Sequence, residues 1–334
     1  KLSDKIGFYK IMIFSLMTSG IAFFGLQFVT SFEGLLVAMF FIMVVADMFR
    51  PAMFVSLGAY AKPENRTRAL TLVRLAINLG FAAGPALGGL LIMTVGYKGL
   101  FWVDGATCIL AILIFWIKVK EKKKSKYTDK EHPGEILTNS VFKDRPFWIF
   151  LGATLITGIL FFQLFTTIPL YHKEQFNLSE LQTGLLLTLN GVLIFFLEMP
   201  IVSYIERHKI NKLKVITLGC LAMAISMYLL LVNYWAGILI IMMLFMTFGE
   251  MFVFPFSNSF AMSRAPKGHE GRYMAIFTMS YSTAHILSAE AGMDMIRLFS
   301  YQNNWFFMGT LGIIGVLLFI WTMKLVKYEP PRNI

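Results

Sequence analysis

The sequence predicts an all-α membrane protein with two related groups of transmembrane helices, four spans in the first and six in the second. Three observations carry this: apolar runs of spanning length, basic residues confined to alternate loops, and a long-range match of the chain with itself. The chain has 334 residues, of which 57% are hydrophobic and only 15% charged, with mean hydropathy +0.67. A water-soluble domain carries about 25% charged residues, so lipid must be part of the solvent.

A span needs about 20 apolar residues. Runs of that kind cover Tyr9–Phe28, Gly34–Tyr60, Leu70–Val95, Leu100–Ile117, Phe147–Tyr171, Thr183–Tyr204, Val215–Val232, Gly237–Met262, Tyr273–Phe299 and Asn304–Val326. The 33 Phe and 21 Met are expected chiefly to face lipid, a minority forming a soft, adaptable pocket. The net charge of +11 is explained by topology rather than by nucleic acid as a partner. One set of loops holds Lys62, Arg66, Arg68, Arg207, Lys209, Lys212, Arg264, Lys267 and the run from Lys118 to Arg145. The opposite set holds only Lys98 and Lys173. That bias places both ends of the chain in the cytoplasm, the cell membrane of a bacterium being the expected setting.

The polar stretch 118–146 divides the chain into a first part, residues 1–117, and a second, residues 147–334. Sliding the chain on itself by about 203 residues pairs Gly34 with Gly237, Asp47 with Glu250, Ser56 with Ser259 and Pro63 with Pro266. With one further residue, Arg68 meets Arg272, Tyr97 meets Tyr301 and Lys10 meets Lys214. A shared register across several helices is the mark of an internal repeat, and repeats of this size put a substrate path where the halves meet.

The opening Leu2, Ser3, Asp4, Lys5, Gly7 and Lys10 resemble the loop between helices two and three of the major facilitator superfamily, with Phe8 and Tyr9 in place of a basic pair. Glu206, Arg207 and Lys209 are a degenerate echo in the second half. The pattern Gly80, Gly84, Pro85, Gly88 and Gly89 is similar to helix five of the family's twelve-helix drug:proton antiporters. Phe49-Arg50-Pro51-Ala52, followed by Pro63-Glu64-Asn65-Arg66, looks like their helix four. The resemblance implies two six-helix halves, with the first two helices absent from this chain. It also implies a gating role for Asp4, Lys5, Gly7 and Lys10. Gly80, Gly84 and Gly88 share one helix face, a spacing that allows close helix approach, and Pro85 permits a bend.

Ionisable groups deep in a span are costly and usually line a pathway. Asp47 and Glu250 lie near mid-span at equivalent positions of the repeat, and Asp47 and Arg50, three residues apart, are placed to pair. Glu290, Asp294 and Arg297 form one stripe, and Glu198 lies in the inner half of its span. Asp47, Arg50, Glu250, Glu290 and Glu198 are the candidate proton-coupling or substrate residues. Gln163 with Thr154, Thr157, Thr166 and Thr167, Asn258 with Ser257, and Phe161, Phe162 and Phe165 are candidate lining. His285 reads as a core histidine. Burial disfavours the charged form of a carboxylate and a nearby cation restores it, so proton and cation compete for one group.

No catalytic constellation, cofactor motif, metal-ligand spacing or disulfide framework is evident. The expectation is therefore a monomeric secondary transporter, with a small-molecule substrate, protons and the bilayer as its partners. Its leading form is proton-coupled export of amphipathic or cationic organic compounds by alternating access. An importer of peptides or sugars in the same fold is the alternative, and a non-transporting membrane scaffold is the alternative of another class.

Overall fold

The structure, a computed structural model, describes residues 7–60, 66–121, 141–232, 234–265 and 270–328. Apart from one 3₁₀ turn, Val141–Lys143, their regular structure is twelve α-helices. These are α1 (Phe8–Leu26), α2 (Phe32–Ala46), α3 (Phe49–Tyr60), α4 (Arg66–Val95), α5 (Tyr97–Lys118), α6 (Arg145–Phe162), α7 (Thr167–Phe176), α8 (Glu180–Arg207), α9 (Lys212–Leu229), α10 (Ile238–Arg264), α11 (Glu270–Leu298) and α12 (Tyr301–Lys327). Helix is the expected answer in lipid, where backbone N–H and C=O groups have no water to bond and must be satisfied within the segment. Among the described residues seven elements are long and apolar enough to cross a membrane: α1, α5, α6 together with α7, α8, α9, α10 and α12. Helix α2 and the Leu79–Val95 part of α4 are apolar but shorter. Helix α11 has the length, but Arg272, His285, Glu290, Asp294 and Arg297 make it more polar.

Two expected spans are interrupted, each just before a proline, whereas Pro85, Pro200 and Pro255 lie inside continuous helices. Proline supplies no N–H for the carbonyl four residues back. Pro51 withholds a donor from Asp47, and the chain breaks at Asp47–Met48 between α2 and α3. Pro169 does the same to Phe165, between α6 and α7. Each break is tied to a neighbouring helix. Ser15 Oγ on α1 donates to the carbonyls of Val45 (2.7 Å) and Ala46 (3.3 Å). At the second break, the Gln163 amide donates to the Ser288 carbonyl and hydroxyl on α11, both at 2.9 Å, and its oxygen accepts from Thr167.

The chain divides into two compact units: Lys1–Gly80 with Leu87–Lys130, and Phe81–Ala86 with Glu131–Ile334. In the first, α1 packs on α5, α3 and α2. Gly7 caps α1 at φ +93°, a conformation that favours glycine. Tyr9 donates to the Val119 carbonyl at 2.8 Å and Tyr60 to that of Lys120 at 2.7 Å. The aromatic ring at position 9 thus fastens the start of α1 to the end of α5.

In the second unit α9 packs on α10 and α12, while α6 packs on α11 and α12. Its core is rich in methionine: Met223, Met227, Met242, Met243, Met246 and Met308 are fully buried. This corrects the expectation that Met chiefly faces lipid. The flexible thioether fills irregular gaps between helices, and many Phe side chains, such as Phe40, Phe41 and Phe306, are the exposed ones.

Close helix approach also falls on other glycines than expected. A Cβ added at Gly219 on α9 would lie 2.8 Å from the Gly249 carbonyl on α10, and one at Gly249 would lie 2.8 Å from the Gly219 carbonyl. Gly20 and Gly105 make the same crossing between α1 and α5. At Gly80 and Gly84 an added Cβ meets nothing within 4 Å among the described residues, and at Gly88 only Leu100 Cδ2 at 3.8 Å. The tight contact near this motif is made by Gly184, where an added Cβ would strike the Pro85 carbonyl. The i, i+4, i+8 spacing defines a face but not what covers it. Gly219→Leu is therefore expected to cost about 2 kcal/mol or more through overpacking, whereas Gly84→Ala stays within about 0.5 kcal/mol of the parent. Thermal unfolding of the two purified variants in detergent checks the contrast.

Candidate functional site

The polar centre of the second unit is built by α8 and α10. Helix α8 is started by a capping box in which the Ser179 hydroxyl accepts from the Gln182 amide and the Gln182 side chain accepts from the Ser179 amide. Asn177-Leu178-Ser179 is thus a left-handed turn followed by a helix start. Ten residues into α8 stands Asn190. Helix α10 presses its Gly249 face against α9, and the next residue, Glu250, is half-buried. The Asn190 amide donates to Glu250 Oε2 and to Thr247 Oγ1, both at 3.0 Å. Thr247 in turn donates to the Met243 carbonyl at 2.7 Å. A carboxylate inside a span is thereby held by one neutral amide, with no basic partner among the described residues.

Aromatic rings stand one turn beyond. Phe254, four residues along α10 from Glu250, meets Phe161 edge to face with centroids 4.8 Å apart, and Phe161 meets Phe165 at 5.5 Å. Phe165 is 45% exposed, so the cluster keeps an open aromatic surface. The carboxylate and the ring faces both attract cations.

The other expected residues are placed as follows. Asp47 and Arg50 belong to the first unit, are exposed, and form no ion pair among the described residues. Their pairing presumed a continuous helix, and the break at Asp47–Met48 lies between them. Glu198 is buried in α8. Glu290 is exposed on α11, as is the Asp294–Arg297 pair at 2.8 Å. His285 is exposed too and meets the Phe162 ring at a tilt, centroids 4.4 Å apart, so it is not the core histidine expected. Thr154 and Thr157 donate to carbonyls of their own helix, and Thr166, in the break, to the Phe162 carbonyl, so the hydroxyl protons of all three are used locally. Asn258 is exposed and Ser257 buried. Lys10 is exposed on α1, and Asp4 and Lys5 lie outside the described residues.

A second polar cluster, absent from the sequence expectations, closes one end of the unit. Asp144 caps α6 by accepting from the Phe147 amide at 3.2 Å. It also accepts from Arg264 at 2.7 and 3.0 Å and from the Tyr273 hydroxyl at 3.0 Å. The Asp144 and Arg264 side chains are 4% and 5% exposed. Arg264, read from the sequence as a loop charge, is instead buried on Asp144, which thereby joins α6, α10 and α11.

Residues 1–289 match the Major Facilitator Superfamily, and the chain belongs to it. Over 363 residues, 99% of this chain and 85% of the relative, it is 22% identical to a Na(+), Li(+), K(+)/H(+) antiporter of Planococcus maritimus. It is 27% identical to an uncharacterized MFS-type transporter of Bacillus subtilis, over 81% of this chain and 68% of that one. A solved structure of a POT family transporter with a thioalcohol-conjugated peptide shares the fold at TM-score 0.76 and 15% identity, covering 96% of this chain and 82% of that one. The protein is thus a multi-pass membrane transporter of the MFS fold.

The end cluster yields a stability test. Asp144→Ala leaves the Arg264 guanidinium without its buried carboxylate and is expected to cost about 3–5 kcal/mol. Tyr273→Phe removes one hydrogen bond to a charged group and is expected to cost about 1.5–3 kcal/mol. Denaturation of both variants in mixed micelles measures the difference.

Proposed function

We propose that the protein is a proton-coupled exporter of cationic, amphipathic organic compounds, with Glu250 as a carboxylate that binds proton and substrate in turn. The observation that supports this reading is the juxtaposition on α10 of Glu250, bonded only to neutral groups among the described residues, with the ring cluster of Phe254, Phe161 and Phe165. A carboxylate without a fixed cationic partner can exchange a proton for a cation, and aromatic faces favour an organic cation over a strongly hydrated one. Alternating exposure of the group to the two sides then links an inward proton flux to outward substrate flux. Asp47, at the break between α2 and α3, is the second proposed coupling acid, with Arg50, Glu198 and Glu290 as further proposed participants.

The Planococcus maritimus relative favours a second reading, exchange of alkali cations for protons. In that reading Glu250 and the Thr247 hydroxyl offer oxygen donors, and the rings contribute nothing.

Proteoliposomes with an imposed pH gradient separate the two. Addition of a lipophilic cation such as tetraphenylphosphonium is expected to dissipate the gradient, and Na+, Li+ or K+ to leave it unchanged. The reverse result selects alkali-cation exchange. Protonation competes with the cation, so wild-type binding weakens as pH falls. Glu250→Gln is expected to bind more than about tenfold less tightly at neutral pH, a loss of about 1.4 kcal/mol or more, and to lose the pH dependence. A variant that keeps the wild-type pH profile removes Glu250 from coupling and shifts the proposal to Asp47.

A further inference from the structure

Helices α6 and α11 approach closely at Gly158, where an added Cβ would lie 2.6 Å from that of Ala284. Ser288, one turn beyond Ala284, fastens the contact by donating to the Ile159 carbonyl and accepting from the Gln163 amide, both at 2.9 Å. Ala284 and Ser288 are fully buried by this packing. The residue after Ala284, His285, is carried out of the packed face and is exposed. Its ring still reaches Phe162, one turn along α6 from Gly158, with centroids 4.4 Å apart. Phe162 in turn meets Phe161 at 5.2 Å, and Phe161 meets Phe254 at 4.8 Å. Rings therefore run in unbroken contact from Phe254, one turn from Glu250 on α10, across α6 to the imidazole on α11. Phe161, Phe162 and Phe254 are half-buried and Phe165 is exposed, so this run keeps an open surface.

The polar atoms of His285 have no use in the packing of the unit. Among the described residues the side chain forms no hydrogen bond or ion pair, only its ring contact. It stands near the middle of the 29-residue α11. Turned to lipid at that depth, both ring nitrogens would go unbonded, and an apolar ring would pack on Phe162 without that cost. Ionisable side chains inside a span face protein or a water-filled path. The path is the place where a passing ligand can satisfy the imidazole.

We infer that His285 determines specificity at the transport site, and that the substrate class is an organic cation with a hydrogen-bonding group, such as a hydroxyl, at the end remote from its charge. The inference rests on the reading of Glu250 as the cation-binding carboxylate. In this arrangement Glu250 takes the charge, Phe254, Phe161 and Phe162 take the apolar body, and His285 takes the polar end. An imidazole offers a ring N–H donor and, when neutral, an acceptor nitrogen as well. A ligand that is apolar at that end strips water from the imidazole without replacing its hydrogen bond, and sites built on such a group discriminate against it. A small hydrated ion would not span the rings.

The experiment is equilibrium binding of two matched cations to the purified full-length protein in detergent. One is triphenylphosphonium bearing a 4-(hydroxymethyl)phenyl group, the other the same cation bearing 4-ethylphenyl, so that a hydroxyl replaces a methyl of similar size. The readout is the ratio of the two affinities, which a general loss of packing would not move. From wild type to His285→Phe that ratio is expected to fall about fivefold against the hydroxylated compound, the worth of one net hydrogen bond. His285→Gln, which keeps a donor and an acceptor at that end, is expected to keep most of the preference. An unchanged ratio in His285→Phe, an equal fall in His285→Gln, or loss of both compounds from either variant would overturn the role of His285 and leave the cation reading standing. Wild type that binds neither compound would overturn the cation reading itself, and this inference with it.

Discussion

Everything in this protein follows from a backbone that lipid cannot solvate. A carbonyl or amide left open in the hydrocarbon costs several kcal/mol, so the chain is helical wherever it can be, and each interruption needs a partner from another helix. The breaks at Asp47–Met48 and Gln163–Thr166 show the same arrangement. A proline removes the donor, and a polar side chain, Ser15 on α1 or Gln163 itself, ties the broken segment to a neighbour. Interruptions of this kind place polar groups inside the span without leaving the backbone bare.

Packing then decides which face of each helix is free to carry chemistry. Gly219 and Gly249 let α9 and α10 approach to backbone contact, and the methionines fill the space around that crossing. With one face of α10 committed to α9, Glu250 turns towards α8 and meets Asn190. The asymmetry between the two charged clusters of this unit is physical as well as positional. Asp144 faces an arginine, a tyrosine and a helix N-terminus and is locked by them. Glu250 accepts from the neutral Asn190 amide and has no basic partner among the described residues.

Much of this was legible in the sequence. Apolar runs of spanning length coincide with the seven spanning elements of the described residues, and the deep carboxylates drew attention to Glu250 from its repeat position alone. The interruptions were legible in principle, since Pro51 and Pro169 each withhold a specific donor, but apolar continuity across them concealed the breaks. Asn190 carried a signal as well, being a lone amide within an apolar run. Residues paired through space left no such trace. Asp144, Arg264 and Tyr273 are separated by more than a hundred residues between the first and the others, and the arginine sits among loop charges that topology already explains. The small-residue contacts misled for a related reason, because spacing gives the face of a helix and only the assembled unit gives its neighbour.

The central claim is that one carboxylate on α10 exchanges a proton for a cation. Binding of tetraphenylphosphonium to the purified protein in weakly buffered detergent, followed with a pH indicator at a pH where the site starts protonated, tests it most directly. The account predicts proton release that saturates with binding in the wild type and is absent from Glu250→Gln. Cation binding with no proton release in the wild type, or equal release from the variant, would contradict it.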